Sequence, residues 1–581
     1  MNTPAKDIGV PIPNVAHAVS VSLPTWEATV GYEEGEDWVV SKMNSGYPRF
    51  FIHSTIQELA RNIEKKYGRD GEKAMVFPSY NVAKRCREFI RQKGPEDVGP
   101  KLRILQLSTR PPISEEEKSR IIESSIGVVF FPPEQFHLAK SYWQHSGEGI
   151  SSRMGEYILK QLFDSNRSET TANVNYKLKH EMQVQAIQKK SPSLSFGSNN
   201  VAAKEDVEKD FNSFIEQKYG RVLDLKFASE AKTVLKRRIC GKVEQSHSEV
   251  NQTGSHFSED DVYLYPSGMA AIFNSHLALM QSQQPKKSVC FGFPYVDTLN
   301  ILKKFGPGLH FLGLGDDGSL DELERNLESG EYDIMALFCE CPSNPLLKTP
   351  NLKRIRQLAD KYNFAVVIDE TVGNFLNIRV GPYADMVASS LTKVFSGDSN
   401  VLAGSIVLNP DSRYYQSLKQ YFDNNYEDLF WAEDALFLER NSRDFAERAA
   451  KIDKTALETI KLLQECPIIS QIYYPYVNES RKYYEEIKTK NGGYGGLMSF
   501  LFKEPEQAIK FFNAVNLNKG PSLGTNFTLA CPYTILAHYQ EIDEIAQWGV
   551  DKYLIRISIG LEDPEELLST LKKSLDYAGS S

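Results

Sequence analysis

Ser389-Ser390-Leu391-Thr392-Lys393-Val394-Phe395-Ser396-Gly397, read with the upstream run Phe364-Ala365-Val366-Val367-Ile368-Asp369-Glu370-Thr371, decides the fold class of this chain. The upstream run is a short apolar stretch with an acid at its carboxyl end. In an open α/β sheet, ligands sit just beyond the carboxyl ends of strands. A Lys flanked by small hydroxyl residues and a Gly is what a pyridoxal phosphate (PLP) site needs. The amine of Lys393 condenses with the cofactor aldehyde, while Ser390, Thr392 and nearby backbone hold the phosphate. Asp369 is then placed to pair with the pyridinium nitrogen and keep the ring electron-withdrawing. A lone Lys beside Ser and Thr is most often a solvated surface residue. Here four further segments fit the same cofactor in chain order, and they reverse that reading.

Tyr265-Pro266-Ser267-Gly268-Met269-Ala270-Ala271 follows one expected strand and opens an expected helix. A Ser-Gly turn at a helix amino terminus presents free N–H groups and a positive dipole end, which suit a phosphate. An ordinary Ser-capped helix start has the same local sequence. Tyr295 comes soon after a short strand at 288–291, where a phenol can stack on a pyridine ring and handle a leaving-group proton. Asn344 sits between two Pro residues in Glu340-Cys341-Pro342-Ser343-Asn344-Pro345, after a strand at 334–339. A fixed amide there can serve the cofactor's phenolic oxygen and a substrate carboxylate. Arg556 lies inside the apolar strand Tyr553-Leu554-Ile555-Arg556-Ile557-Ser558-Ile559. Burying it needs an anion, either an amino-acid carboxylate held by both arms of the guanidinium or an acid such as Glu562.

Bulk properties exclude several classes. The 581 residues are 41% hydrophobic, enough for a large core and, by length alone, about three to four domains. The net charge of −9 argues against a nucleic-acid partner, which calls for a basic face. The seven Cys (86, 240, 290, 339, 341, 466, 531) form no CxxC pair and have no His at zinc spacing. A metal site is therefore not expected, and a reduced cytoplasmic setting, with the nucleus as a second location, fits the thiols. Neither a signal peptide nor a membrane-spanning run is visible.

Along the chain, residues 1–165 read as an α/β extension, with strands at 101–107 and 126–131 and helices at 56–67 and 154–163. Residues 166–205 are polar and read as a linker or insertion. Residues 206–440 alternate apolar strands and helices, which argues for a mostly parallel sheet covered on both faces. A long helix at 442–466 leads into a smaller carboxyl-terminal domain, 441–581. One internal echo links Ile63-Glu64-Lys65-Lys66-Tyr67-Gly68-Arg69 with Ile215-Glu216-Gln217-Lys218-Tyr219-Gly220-Arg221. A true repeat and two helix ends of similar composition fit it equally well.

Together the motifs resemble the PLP-dependent trans-sulfuration enzymes of cysteine and methionine metabolism, over residues 206–581. The matching positions are Ser267-Gly268-Met269, Tyr295, Asn344, Asp369 with Thr371, Ser390-Leu391-Thr392-Lys393, Pro521-Ser522-Leu523-Gly524, and the Arg556–Glu562 strand read as "RxSxGxE". The resemblance implies an aspartate-aminotransferase-like (PLP fold type I) large domain with a smaller α+β domain. It also implies that Ser522, Asn344 and Arg556 bind substrate. Val296-Asp297-Thr298 stands where the family has Gly-Gly-Thr, and Gly397-Asp398-Ser399-Asn400 where it has Gly-His-x-Asp. Asn526-Phe527-Thr528 replaces Glu-Ser-Leu. With the long amino-terminal region, these departures look like the fungal cystathionine γ-synthase branch.

The family places a Tyr-x-Arg pair from a neighbouring subunit on the phosphate, which implies a homodimer or homotetramer with active sites at the interfaces. Tyr219-Gly220-Arg221 is favoured because it shortly precedes the Ser-Gly-Met turn; Tyr47-Pro48-Arg49 is the second candidate. The implied reaction is γ-replacement on an O-acylated homoserine, acetylated or succinylated. Cysteine as nucleophile gives cystathionine, and sulfide gives homocysteine. A β- or γ-lyase uses the same residues. A regulatory protein with a decayed site is the reading from another class, and the retained Lys393, Asp369, Tyr295 and Arg556 speak against it.

Overall fold

The computed structural model describes residues 4–48, 50–69, 71–163, 224–248 and 257–580. The linker expected at 166–205 and the echo segment 215–221 lie outside the described residues. The amino-terminal unit runs α1 (Ser54–Tyr67), β1 (Lys73–Phe77), α2 (Tyr80–Lys93), β2 (Arg103–Ser108), β3 (Ser125–Phe131), α3 (Phe136–Ser146) and α4 (Ser152–Phe163). Its three strands lie in the order β1-β3-β2, with β3 antiparallel to both neighbours. Helix α1 shows how such an element forms. Ile56, Leu59 and Ile63 recur on one face and are buried, while Lys65 and Lys66 lie in its last turn, where cations suit the dipole.

The large domain follows with α5 (Ala228–Ser248), β4 (Val262–Tyr265), α6 (Gly268–Ser282), β5 (Lys287–Phe291), α7 (Val296–Lys304), β6 (Leu309–Leu312), α8 (Asp317–Glu328), β7 (Ile334–Glu340), α9 (Leu352–Tyr362), β8 (Ala365–Asp369), β9 (Met386–Ser390), β10 (Gly404–Leu408), α10 (Tyr415–Asn425) and α11 (Ala432–Asn441). Its seven strands lie in the order β4-β10-β9-β8-β7-β5-β6. Only β10 runs against its neighbours, so β4, β5, β7, β8 and β9 all end on one edge. Every residue of β7 is buried, as expected of a strand covered on both faces.

The carboxyl-terminal domain has a five-stranded sheet, with β11 (Ile469–Tyr473), β12 (Leu497–Phe502), β13 (Asn518–Lys519), β14 (Leu529–Pro532) and β15 (Ile555–Ser558) in the order β11-β12-β15-β14-β13. The helix leading into it spans Phe445–Glu465.

Two features tie these parts together. Phe77, Val82 and Tyr142 of the amino-terminal unit share one core with Phe273, Phe338 and Leu418 of the large domain. The first described residues touch all three parts: His17 Nδ1 lies 2.9 Å from Ser152 Oγ of α4, Val19 N donates to the Ser399 carbonyl of the large domain at 2.8 Å, and Ser20 Oγ donates to the Pro521 carbonyl of the carboxyl-terminal domain at 2.6 Å.

Candidate active site

Five strands deliver side chains to one edge of the large sheet. β8 ends at Asp369, β7 at Glu340, and β9 at Ser390, just before Lys393; the loops after β4 and β5 carry Ser267 and Tyr295. A cavity of about 200 Å³ gathers Ser267, Tyr295, Asn344, Asp369, Lys393 and Arg556.

Lys393 is buried, and its Nζ donates to the Tyr47 hydroxyl at 2.9 Å and to Ser522 Oγ at 3.0 Å. Ser522 has φ +96°, in the left-handed region, a strained setting for a residue with a side chain. That conformation sets Oγ toward Lys393 while the carbonyl accepts from Arg556 Nη2 at 2.7 Å. The other arm of Arg556, Nη1, donates to Asn344 Oδ1 at 2.9 Å, and Asn344 Nδ2 donates to the Tyr533 hydroxyl at 3.4 Å. The guanidinium lies 4.7 Å from the Tyr533 ring centre. Arg556 stands on a central strand, opposite Ser499 and Cys531. Glu562, the acid considered as its partner, instead accepts from Thr528 N and Oγ1.

Asp369 Oδ1 accepts from Thr371 N at 2.9 Å, and Thr371 Oγ1 accepts from Ser390 N at 2.8 Å, so Thr371 joins the ends of β8 and β9. Burial pushes the Asp369 carboxyl up; its bonds with Thr371 and the Lys393 charge pull the other way. Glu340 is Asp369's cross-strand neighbour. Its carboxyl oxygens accept from Tyr295 N and, at 3.0 Å, from Asn344 N, so it holds the backbone of both site loops. Burial, with the Asp369 charge adding to it, pushes Glu340 up to about 8.

Ser267 caps α6: its Oγ accepts from Ala270 N at 3.1 Å and donates to the Gly147 carbonyl at 2.9 Å. A Cβ on Gly268 would meet Ser390 Cβ at 2.6 Å, so the turn and the end of β9 touch directly. Met269 follows, and the Tyr295 hydroxyl stands 4.0 Å from its sulfur.

Thr392 also lines the cavity. Its hydroxyl accepts from Ala403 N at 3.0 Å and donates to the Ala403 carbonyl at 3.3 Å, just before β10. A β-branched Thr at a strand end satisfies the neighbouring strand's open backbone groups, and that use was invisible without the strand order. Tyr219 and Arg221, the favoured Tyr-x-Arg pair, lie outside the described residues; the tyrosine that reaches Lys393 is Tyr47, of the second candidate. Sequence reasoning assigned no role to Glu340, Thr371 or Tyr533. Glu340 carried a signal, an acid ending an apolar run, as Asp369 does.

The residues present fit PLP. The fifteen-residue helix α6 points its amino terminus into the cavity beside Ser267 and Ser390, where an anion is favoured. A carboxylate, a buried amine and a half-buried phenol line the same space, as a protonated ring nitrogen, an aldehyde and an aromatic face require.

Comparison with known proteins agrees. Residues 254–576 match the family model for Cys/Met metabolism PLP-dependent enzymes, and residues 55–151 match that for the N-terminal domain of fungal trans-sulfuration enzymes. The chain is 44% identical to cystathionine gamma-synthase of Neurospora crassa, with 99% of each chain covered. It is 43% identical to cystathionine gamma-synthase of Saccharomyces cerevisiae, again with 99% of each covered. A crystal structure of cystathionine gamma synthase from Xanthomonas oryzae pv. oryzae in complex with cystathionine matches with a TM-score of 0.50 at 23% identity. It covers 59% of this chain and 86% of that one and bears out the expected fold. No helix among the described residues is long and apolar enough to cross a membrane.

Proposed function

The chain belongs to the Cys/Met metabolism PLP-dependent enzymes, and from that premise we propose that it joins cysteine to an O-acylated homoserine to form cystathionine. The C–O bond at the γ-carbon breaks, a C–S bond forms, and the acyl group leaves as a carboxylic acid. The observation that carries this reading is a likeness spanning the whole chain, amino-terminal region included, to two fungal cystathionine gamma-synthases.

PLP, when bound, supplies an aldehyde for an amine and an electron sink for a carbanion beside that amine. The chain's own residues do the rest. Arg556, steadied by Asn344 Oδ1 and the Ser522 carbonyl, offers its guanidinium to the substrate carboxylate. Lys393 moves the α- and β-protons, its Nζ aimed by the Tyr47 hydroxyl and Ser522 Oγ. Asp369 offers a carboxylate to the ring nitrogen, held at the strand end by Thr371. Ser267, the N–H groups of Gly268 and Met269, and Ser390 form the phosphate cradle. Tyr295 covers the ring and handles the leaving-group proton. Homodimers or homotetramers belong to the same reading, as does a cytoplasmic setting, since the seven thiols are all free.

The test is a product assay on purified protein with PLP and O-acetylhomoserine, offering cysteine and sulfide in parallel. Cystathionine is the expected dominant product. Homocysteine from sulfide, with little cystathionine, would replace the proposal with a sulfhydrylase.

A further inference from the structure

We infer that residues 47–163 are a shortened second copy of the half-domain 219–441, packed against it as the second protomer of a twofold pair would be. This copy, within the same chain, completes the site around Lys393. The inference extends the reading of Lys393 as the cofactor lysine and rests on it.

The order of elements makes the first argument. The amino-terminal unit runs helix, strand, Pro-Ser turn, helix, strand, strand, helix, helix, from α1 to α4. The large domain runs the same way through α5, β4, a Pro-Ser turn, α6, β9, β10, α10 and α11, with the parallel block β5–β8 inserted between α6 and β9. Sheet order agrees as well: β1-β3-β2 in one and β4-β10-β9 in the other, each middle strand antiparallel to both neighbours. In sequence, Tyr47-Pro48-Arg49 precedes α1 as Tyr219-Gly220-Arg221 precedes α5.

Two side-chain devices recur at equivalent places. Ser79 and Ser267 both follow a Pro and cap the next helix, with φ, ψ of −152°, 165° and −157°, 162°. Their hydroxyls accept from Val82 N at 3.3 Å and Ala270 N at 3.1 Å. Thr109 is the first residue after β2 and Thr392 the second after β9. Each hydroxyl accepts from one backbone N–H across the turn, Ser124 at 2.9 Å and Ala403 at 3.0 Å. Thr392 donates back to the Ala403 carbonyl at 3.3 Å, and Thr109 to the Ile122 carbonyl at 3.1 Å and the Ser124 carbonyl at 3.4 Å. By these hydroxyl bonds Thr109-Arg110 is the counterpart of Thr392-Lys393, one residue nearer its strand end. Arg110 is tied to Glu117 at 2.7 Å, and a guanidinium is no substitute for a reactive amine. The copy keeps the frame and has lost the chemistry.

The contacts between the two copies are reciprocal, the mark of a twofold pairing. Ser267 donates to the carbonyl of Gly147, just after α3. Ser79 donates at 2.8 Å to Glu427, just after α10, the equivalent helix. The equivalent helices α4 and α11 meet through Arg153 and Asp434, paired at 2.8 Å with both side chains buried. Tyr47, Trp143, Gly147 and Ile150 of the copy wall the cavity that holds Lys393.

The test separates in-chain from between-chain completion. Chains carrying Lys393→Ala and chains carrying Tyr47→Ala, differently tagged, are made in one cell, and mixed assemblies are captured through both tags. We expect them, like each variant alone, to stay at least about tenfold below wild type in kcat/KM. Finding no mixed assembly beside these two crippled variants and an active wild type gives the same answer, because each chain then works alone. Recovery to about half the wild-type value per chain, one intact site in each mixed pair, overturns the inference. Wild-type turnover in Tyr47→Ala overturns it too. A second readout needs no turnover: an amine-reactive crosslinker is applied to dilute wild-type protein. Lys84, Lys93 and Lys304 line one groove between the copies, so peptides linking Lys304 to either of the others are expected in the single-chain band of a denaturing gel. Their presence only in the double-chain band refutes the in-chain arrangement even if the product assay fails.

Discussion

Asp369 and Glu340 end neighbouring parallel strands in direct register, so two carboxyl groups share one cavity edge. Both are pushed up by burial, and the Asp369 charge further opposes ionisation of Glu340. The protonated Glu340 favours the folded state. Its contribution is whole below the ordinary value of 4.5 and is lost as pH rises through about 8. Glu340→Gln fixes the neutral form. Urea midpoints of cofactor-free protein across that interval should show wild type falling progressively behind the variant, then running parallel to it. A gap that does not change with pH would place the raised value elsewhere.

Arg556 holds its two arms on Asn344 Oδ1 and the Ser522 carbonyl and has a planar fork to offer a carboxylate. A charge-assisted bond is worth about 1.5–3 kcal/mol, so Arg556→Ala should lower kcat/KM for the amino-acid substrate about tenfold or more, chiefly through KM. Arg556→Lys should recover little, because a point charge cannot keep both contacts. An unchanged KM would assign the carboxylate clamp to another residue.

Gly268→Ala places a methyl group 2.6 Å from Ser390 Cβ. Relieving that overlap separates the α6 turn from the end of β9, the two cavity walls proposed to hold the phosphate. The expected cost is about 1–3 kcal/mol of stability, with weaker retention of PLP. Denaturant titration and equilibrium dialysis against PLP check the two effects separately.

Arg153→Ala removes the partner of Asp434, a buried carboxylate already pushed up by burial. Breaking a buried pair from one side costs about 3–5 kcal/mol. The double change Arg153→Met with Asp434→Leu should cost clearly less, because no uncompensated charge remains. Chemical denaturation of both variants provides the comparison.

Asp369, Lys393, Asn344 and Arg556 could be read from the chain because each puts a polar group inside or just beyond an apolar run, and a sheet edge gives such a group meaning. Glu340 has the same local signature. Its role depends on β7 lying beside β8, which periodicity does not encode. Tyr47 and Tyr219 head equivalent Tyr-x-Arg segments, and only tertiary packing tells which one reaches Lys393. The repeat was half visible. The like sequences at 63–69 and 215–221 suggest a different frame from the one the Tyr-x-Arg and Pro-Ser marks give, and those marks are sparse and far apart.

The bond from Ser20 Oγ to the Pro521 carbonyl spans 501 residues of chain. A ribosome adding about 5–20 residues per second needs roughly 25–100 s to travel that far. Val19 and Ser20 therefore wait for their partners at Ser399 and Pro521, which do not exist when these two residues emerge. The hydroxyl of Ser522 beside Lys393 comes 129 residues after that lysine, roughly 6–26 s later at the same rate. Lys393 acquires its full set of neighbours only once Ser522 has been made, so a nascent chain cut short before that point carries the lysine without the hydroxyl that aims it.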